Sequence, residues 1–265
     1  MIDIQQYCKE KAASSGSSFY YSFLFLPKNK QQAIMAVYAF CREVDDIVDN
    51  YKEKKIAENK LLWWKTEIDK IYTNHAEHPV GKALVEVVKE FDLPQSLFIQ
   101  ILDGMYMDLN YQGYQTFADL NLYCHCVASV VGLLAARIFG FSCDKTLEYA
   151  KNLGIAFQLV NIIRDVGEDA RRGRIYIPED ELEKFSMSTD ELLSLSIKNQ
   201  DNFIELMKFQ AARAREYYQK AVDLLPDQDR FSQKTGIIMA KIYFSILDEI
   251  EHSRFSVLRE RVSIT

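Results

Sequence analysis

Asn161, Asp165 and Asp169 recur every four residues inside a segment that is otherwise Leu153, Ile155, Ala156, Phe157, Leu159, Val160, Ile162 and Ile163. A four-residue repeat places all three oxygen-bearing side chains on one face of a helix. Burying such a face is costly unless something of opposite charge meets it. The chain must therefore fold so that this helix lines a site for cations, and its apolar faces belong to a core.

A second segment has the same character. Asp45, Asp46 and Asp49 follow Ile34, Val37, Tyr38, Cys41 and Val44, and Asp45 and Asp49 share a helical face. Read alone, this cluster fits a solvated helix end as well as a ligand site. Two such faces in one chain favour a site. Oxygen donors of this kind suit Mg²⁺, which keeps several waters and completes its octahedron with substrate phosphates. Arg42 lies three residues before Asp45, Arg164 adjoins Asp165, and Arg171, Arg172 and Arg174 follow Asp169. Guanidinium forks beside carboxylates fit a phosphate held partly by metal and partly by arginine. Ordinary surface ion pairing is the competing reading, worth little energetically.

The rest of the chain reads as helix. It has 10 Gly and 5 Pro in 265 residues, too few turn formers for many short strands. Helical periodicity is expected over residues 28–51, 56–72, 80–91, 95–109, 117–139, 145–169, 202–225 and 232–251, with loops at 110–116 and 171–178 and a helix start capped by Thr189. No repeat or linker interrupts the pattern, so one all-α domain over residues 1–265 is expected, a bundle larger than four helices around a central cavity.

Composition excludes several classes. The net charge of −6, without a long Lys/Arg run, argues against nucleic acid as a partner. Five cysteines without a disulfide-like framework point to reduced thiols in a cytoplasm. Cys124-His125-Cys126 lacks the second ligand pair that structural zinc needs. The stretch from Tyr123 to Phe141 is apolar enough to raise the question of a membrane span, but His125 and Arg137 interrupt it; a helix buried in the core is expected. The polar, mixed-charge start from Met1 to Glu10 does not read as a signal peptide.

Three blocks, in order, carry a family resemblance: Tyr38-Ala39-Phe40-Cys41-Arg42-Glu43-Val44-Asp45-Asp46-Ile47-Val48-Asp49, then Tyr123 to Gly132, then Gln158-Leu159-Val160-Asn161-Ile162-Ile163-Arg164-Asp165-Val166-Gly167-Glu168-Asp169. The chain resembles the squalene/phytoene synthases, which join prenyl diphosphates head to head. Ser15 to Ser22 looks most like the presqualene diphosphate synthases of bacterial hopanoid pathways. The resemblance implies the all-α isoprenoid-synthase fold, more than one Mg²⁺, and two prenyl diphosphates as substrates, with farnesyl diphosphate the expected one. It implies Asp45, Asp49, Asn161, Asp165 and Asp169 as metal ligands. Ser18, Phe19, Tyr38, Arg42, Gln158, Asn161, Arg164, Arg174 and Tyr243 are the implied substrate contacts, with Tyr123 as a catalytic tyrosine or helper base. Ser15, Gly16, Ser17 and Ser18 stand where some relatives carry Lys or His, so hydroxyls and backbone N–H groups are expected to hold the anion there.

Phe19, Phe23, Val127, Val131, Leu134 and Phe157 are the expected cavity lining. The product is expected to be presqualene diphosphate, without NADPH; no Gly-rich dinucleotide fingerprint is present. Phytoene, dehydrosqualene and NADPH-dependent squalene synthesis are the alternatives within the family, and a catalytically dead helical scaffold is the alternative outside it. Greasy substrates suggest a cytoplasmic protein loosely held at the inner membrane surface.

Overall fold

The computed structural model describes residues 3–14, 22–51, 53–259 and 261–262. Ser18 and Phe19 lie outside the described residues. All regular structure described is helical: α1 (Ile4–Ser14), α2 (Lys28–Asn50), α3 (Lys54–Tyr72), α4 (Pro79–Glu90), α5 (Gln95–Leu109), α6 (Phe117–Phe139), α7 (Lys145–Arg171), α8 (Glu179–Lys184), α9 (Thr189–Leu193), α10 (Gln200–Leu224) and α11 (Lys234–His252). The expected helices are all present, within about two residues at most ends, which is the usual precision of such boundaries.

Local chemistry sets the boundaries. The Thr116 hydroxyl accepts from Asp119 N–H and the Asp119 carboxylate accepts from Thr116 N–H, a reciprocal cap that starts α6. Gly140, at φ 87°, ends it. The expected Thr189 cap is corrected by one position. Ser188 is the cap, paired reciprocally with Glu191, because the bond must reach the third residue of the helix.

Two apolar cores flank a shared wall. One gathers α2 to α5 around Phe40, Trp64, Leu84 and Phe98; the other gathers α7, α10 and α11 around Leu159, Phe203, Met207 and Leu247. Helix α6 runs between them, with Leu134 and Ile138 in the first core and Leu120 and Tyr123 in the second. The expectation that this apolar helix lies within the fold is met. Leu134 was expected to line the cavity. It is instead fully buried in the first core, while its neighbours Val127 and Val131 pack against that core and reach the cavity.

Helices α6 and α7 run antiparallel and nearly touch. A Cβ at Gly132 would lie 2.6 Å from Ala150 O, and one at Gly154 2.7 Å from Ala128 O and from Ser129 Cα. Only hydrogen fits at either place. At this approach α6 widens into one π turn, His125–Ser129, which re-aims the residues after Tyr123.

Candidate active site

A cavity of about 640 Å³ runs down the middle of the bundle. On α7 its wall is Tyr149, Leu153, Phe157 and Asn161, every fourth residue of one face. Matching stripes come from α2 (Ile34, Tyr38, Arg42, Asp45), α6 (Tyr123, Val127, Val131, Ala135) and α11 (Gly236, Met239, Tyr243). One end is polar, built from Arg42, Asp45, Asn161, Arg164 and Arg261. The other end is closed by Phe139, Tyr149, Gln233 and Thr235.

Both acidic helices reach the polar end, α2 with Arg42 and Asp45 and α7 with Asn161 and Arg164. Arg42 Nη1 lies 2.5 Å from Asp45 Oδ2, and its Nη2 lies 2.9 Å from Asp46 Oδ1. Asp46 turns away from the cavity to meet Lys11 Nζ at 2.8 Å, so it fastens α1 to α2. Asp49 faces the loop after α7, 3.5 Å from Arg172 Nη1 and 3.6 Å from Arg174 Nη1. Asp165 is held by Arg164 and by Arg261 Nε at 2.8 Å. Arg171, expected among the phosphate-binding arginines, points elsewhere. Its Nη2 donates to Leu258 O at 2.7 Å and fastens the C-terminal segment across α7.

Asp45 and Asp169 are short of positive charge, and Asp165 is not. Burial pushes Asp169 up to about 7, the Asp165 charge adding to the effect and Arg172 and Arg174 opposing it. Burial also lifts Asp45 to about 6 against Arg42, with Asp49 and Asp108 contributing. Asp165 is pulled below the usual carboxylate range: Arg164 and Arg261 outweigh its burial. Asn161 Oδ1 is buried without a hydrogen-bond partner. An orphaned carbonyl oxygen beside carboxylates that resist ionisation fits a hard cation. Among the described residues no three acidic, histidine or cysteine side chains converge into a cage.

Neutral groups complete the wall. Asn161 Nδ2 donates to Gln158 Oε1 at 3.3 Å. The Tyr243 ring stacks on Phe157 at 4.4 Å, and Tyr38 meets Phe23 edge-on at 6.0 Å.

Behind Tyr123 lies a network with no marker in the sequence. Its hydroxyl donates to Asp108 Oδ2 at 2.8 Å, and the Tyr176 hydroxyl donates to Asp108 Oδ1 at 2.8 Å. Tyr114 stacks against Tyr176 at 6.0 Å, and Tyr123 stacks on the same ring at 5.3 Å. Burial raises Asp108, while Arg174 and the two tyrosines partly offset it. Burial and the Asp108 charge hold Tyr123 far above the usual phenol range. Tyr123 thus stands as a neutral hydrogen-bond donor to Asp108. Asp108 and Arg261 escaped the sequence reading because each stands outside the acidic repeats, and only the packing of α5 and the C-terminal segment brings them in.

The sequence pattern of the squalene/phytoene synthase family matches residues 12–265. The chain is 35% identical to the phytoene synthase of Arthrospira platensis over 99% of its own length and 88% of the relative's. It is 34% identical to the 15-cis-phytoene synthase of Synechococcus elongatus, covering 97% and 87%. The crystal structure of squalene synthase HpnC from Alicyclobacillus acidocaldarius superposes with a TM-score of 0.85 at 25% identity, covering 95% of this chain and 94% of that one. A dehydrosqualene synthase in complex with ligand gives 0.84 at 29% identity, covering 98% and 91%. With the helical bundle and its paired acidic faces, these matches place the chain in the squalene/phytoene synthase family.

Proposed function

We propose that the protein condenses two farnesyl diphosphates head to head into presqualene diphosphate, releasing diphosphate and a proton. The observation that carries a head-to-head prenyl transfer is the cavity itself: a long apolar channel whose charged end is formed by Arg42 and Asp45 of one acidic helix, Asn161 and Arg164 of the other, and Arg261. An ionisable diphosphate fits that end, and two prenyl chains fit the channel. The resemblance of Ser15 to Ser22 to presqualene diphosphate synthases supports the fifteen-carbon substrate.

In this reading Arg42, Arg164, Arg174 and Arg261 hold diphosphate oxygens, and Gln158 and Tyr38 give neutral contacts. Asp45, Asp49, Asn161, Asp165 and Asp169 would hold Mg²⁺, which when bound neutralises charge on the departing diphosphate. The C1–O bond of the donor breaks, and the acceptor's double bond supplies the electrons for the new bond to C1. Loss of a proton then closes the cyclopropane. The released diphosphate is the proton acceptor, because Tyr123 already donates its hydrogen to Asp108. Phe157, Tyr243 and the other apolar walls exclude water, and their ring faces stabilise the passing cation. The substrates and product would bring the protein to the cytoplasmic face of the inner membrane.

A second reading has its own support. The relatives at 32–35% identity include cyanobacterial and plant proteins named phytoene synthase, which favours a twenty-carbon substrate. Purified protein with Mg²⁺ and farnesyl or geranylgeranyl diphosphate, with and without NADPH, separates the two. Presqualene diphosphate from the first substrate, independent of NADPH, supports the proposal; turnover of geranylgeranyl diphosphate alone replaces it with the second reading.

A further inference from the structure

The closed end of the cavity holds a feature that the chemistry at the mouth does not use. Tyr149 lines the cavity, is only 3% exposed, and has a hydroxyl without any hydrogen-bond partner. Burying an unpaired hydroxyl against apolar walls costs free energy that nothing in the fold returns. A phenylalanine would avoid that cost, so the reach of the ring and its hydroxyl, rather than a bond, is what the position supplies.

That reach ends on Gly236. A Cβ at this glycine would lie 2.9 Å from Tyr149 Oη. The first turn of α11 therefore leaves a notch, and the tyrosine tip fills it. The surrounding floor is braced by hydrogen bonds. Gln233 Nε2 donates to Ala136 O at 3.2 Å and to Gly140 O at 2.9 Å, and Lys30 Nζ donates to Phe139 O at 2.7 Å. Floor and mouth are thus held at a set spacing. From Asn161 back to Tyr149, one face of α7 spans about 18 Å at the usual helical rise.

We infer that Tyr149, seated in the Gly236 notch, is the stop that limits the length of prenyl chain the cavity accepts. The inference rests on the head-to-head reading above and adds the residue that selects substrate length. A chain one isoprene unit longer than the cavity allows must push against a ring packed on its far side by α11, so it binds with its reactive end displaced from the acidic mouth. Truncating the ring opens space beyond the stop. Filling the notch drives the ring tip into the channel and shortens it.

The test uses the full chain with Mg²⁺ and a series of farnesyl, geranylgeranyl and geranylfarnesyl diphosphates. The readout is the ratio of kcat/KM for each substrate to that for the next shorter one. Tyr149→Ala is expected to raise the ratio for the first chain longer than the wild-type optimum by about tenfold or more, the scale on which apolar pockets discriminate. Gly236→Ala is expected to move the preference the opposite way. Thermal unfolding verifies that each variant is folded; where Tyr149→Ala is not, Tyr149→Leu replaces it and Gly236→Ala carries the opposing arm. Unchanged ratios in folded, active variants, or shifts in the same direction, overturn the inference while leaving the head-to-head reading intact. Absence of coupled product from wild type with every substrate defeats that reading instead.

Discussion

Tyr123 and Asp108 form a buried pair, hydroxyl to carboxylate at 2.8 Å, between the cavity wall and the tyrosine cluster of Tyr114 and Tyr176. The bond fixes the phenol on the cavity wall. Burial keeps the phenol protonated, and the neighbouring Asp108 charge adds to the effect. If the pair acts as one unit, Asp108→Asn and Tyr123→Phe should each lower kcat by about 10²-fold. The double variant should be no slower than the slower single, the signature of shared function. Losses that multiply in the double variant would mean that the two residues act separately.

The acidic helices make the clearest prediction. Asp49→Ala and Asp165→Ala should each lower kcat/KM by about 10³-fold, the several kcal/mol that a bound metal contributes to stabilising developing charge. Neither side chain belongs to an apolar core, each being partly exposed and paired with arginines, so the fold should survive. An independent readout is thermal: Mg²⁺ and inorganic diphosphate added together should raise the Tm of the wild type, because whatever binds only the folded state stabilises it. Neither variant should show that rise. A rise of equal size in both would remove these carboxylates from the ion site.

Close packing of α6 on α7 predicts a stability effect. Gly154→Ala places a methyl group 2.7 Å from backbone atoms of Ala128 and Ser129, and backbone cannot swing aside as a side-chain tip can. Forcing the helices apart should cost about 3 kcal/mol, measured by urea unfolding. Because the same two helices form two walls of the cavity, activity should fall in the folded fraction as well. A loss under about 0.5 kcal/mol, the range of an inert surface change, would show that the helices separate freely.

Acid sensitivity should centre on Asp229. The side chain, 3% exposed, accepts from Ser142 Oγ at 2.7 Å, Thr146 Oγ1 at 2.6 Å, and the backbone N–H of Ser142 and Cys143. Burial alone would raise its pKa, but these donors outweigh it and the value falls below the ordinary carboxylate range. The sign follows. A group bound more weakly by protons when folded adds stability above its unfolded pKa and loses it as pH falls through its lower folded value. Asp229→Asn should therefore lower stability at pH 7 and flatten the acid limb of the stability curve below about pH 4, where an unfolded Asp titrates. A variant whose acid limb matches the wild type would show that other carboxylates govern acid unfolding.

Much of this architecture is legible in the chain before any folding is considered. Few glycines and prolines, a sustained helical period and the four-residue spacing of Asn161, Asp165 and Asp169 specify long helices and one cation-seeking face, because helical periodicity is a local property of the backbone. Residues on one helix can be grouped from sequence for that reason, and Asp45 and Asp49 are grouped the same way. The tertiary structure alone decides which faces meet. Sequence spacing does not reveal that Asp46 turns to Lys11 while Asp45 turns inward, or that Arg172 and Arg174 reach across to Asp49. Nor does it show that Asp108 stands behind Tyr123, or that Arg261 returns from the C-terminal segment to Asp165. Leu134 illustrates the difference most plainly. As an apolar residue on an apolar helix it suits either a core or a cavity, and the π turn and the contact of α6 with α7 decide which face looks inward. The two acidic faces that made the chain recognisable are local; the closed channel beneath them, with Tyr149 at its floor, exists only because four helices pack at particular rotations.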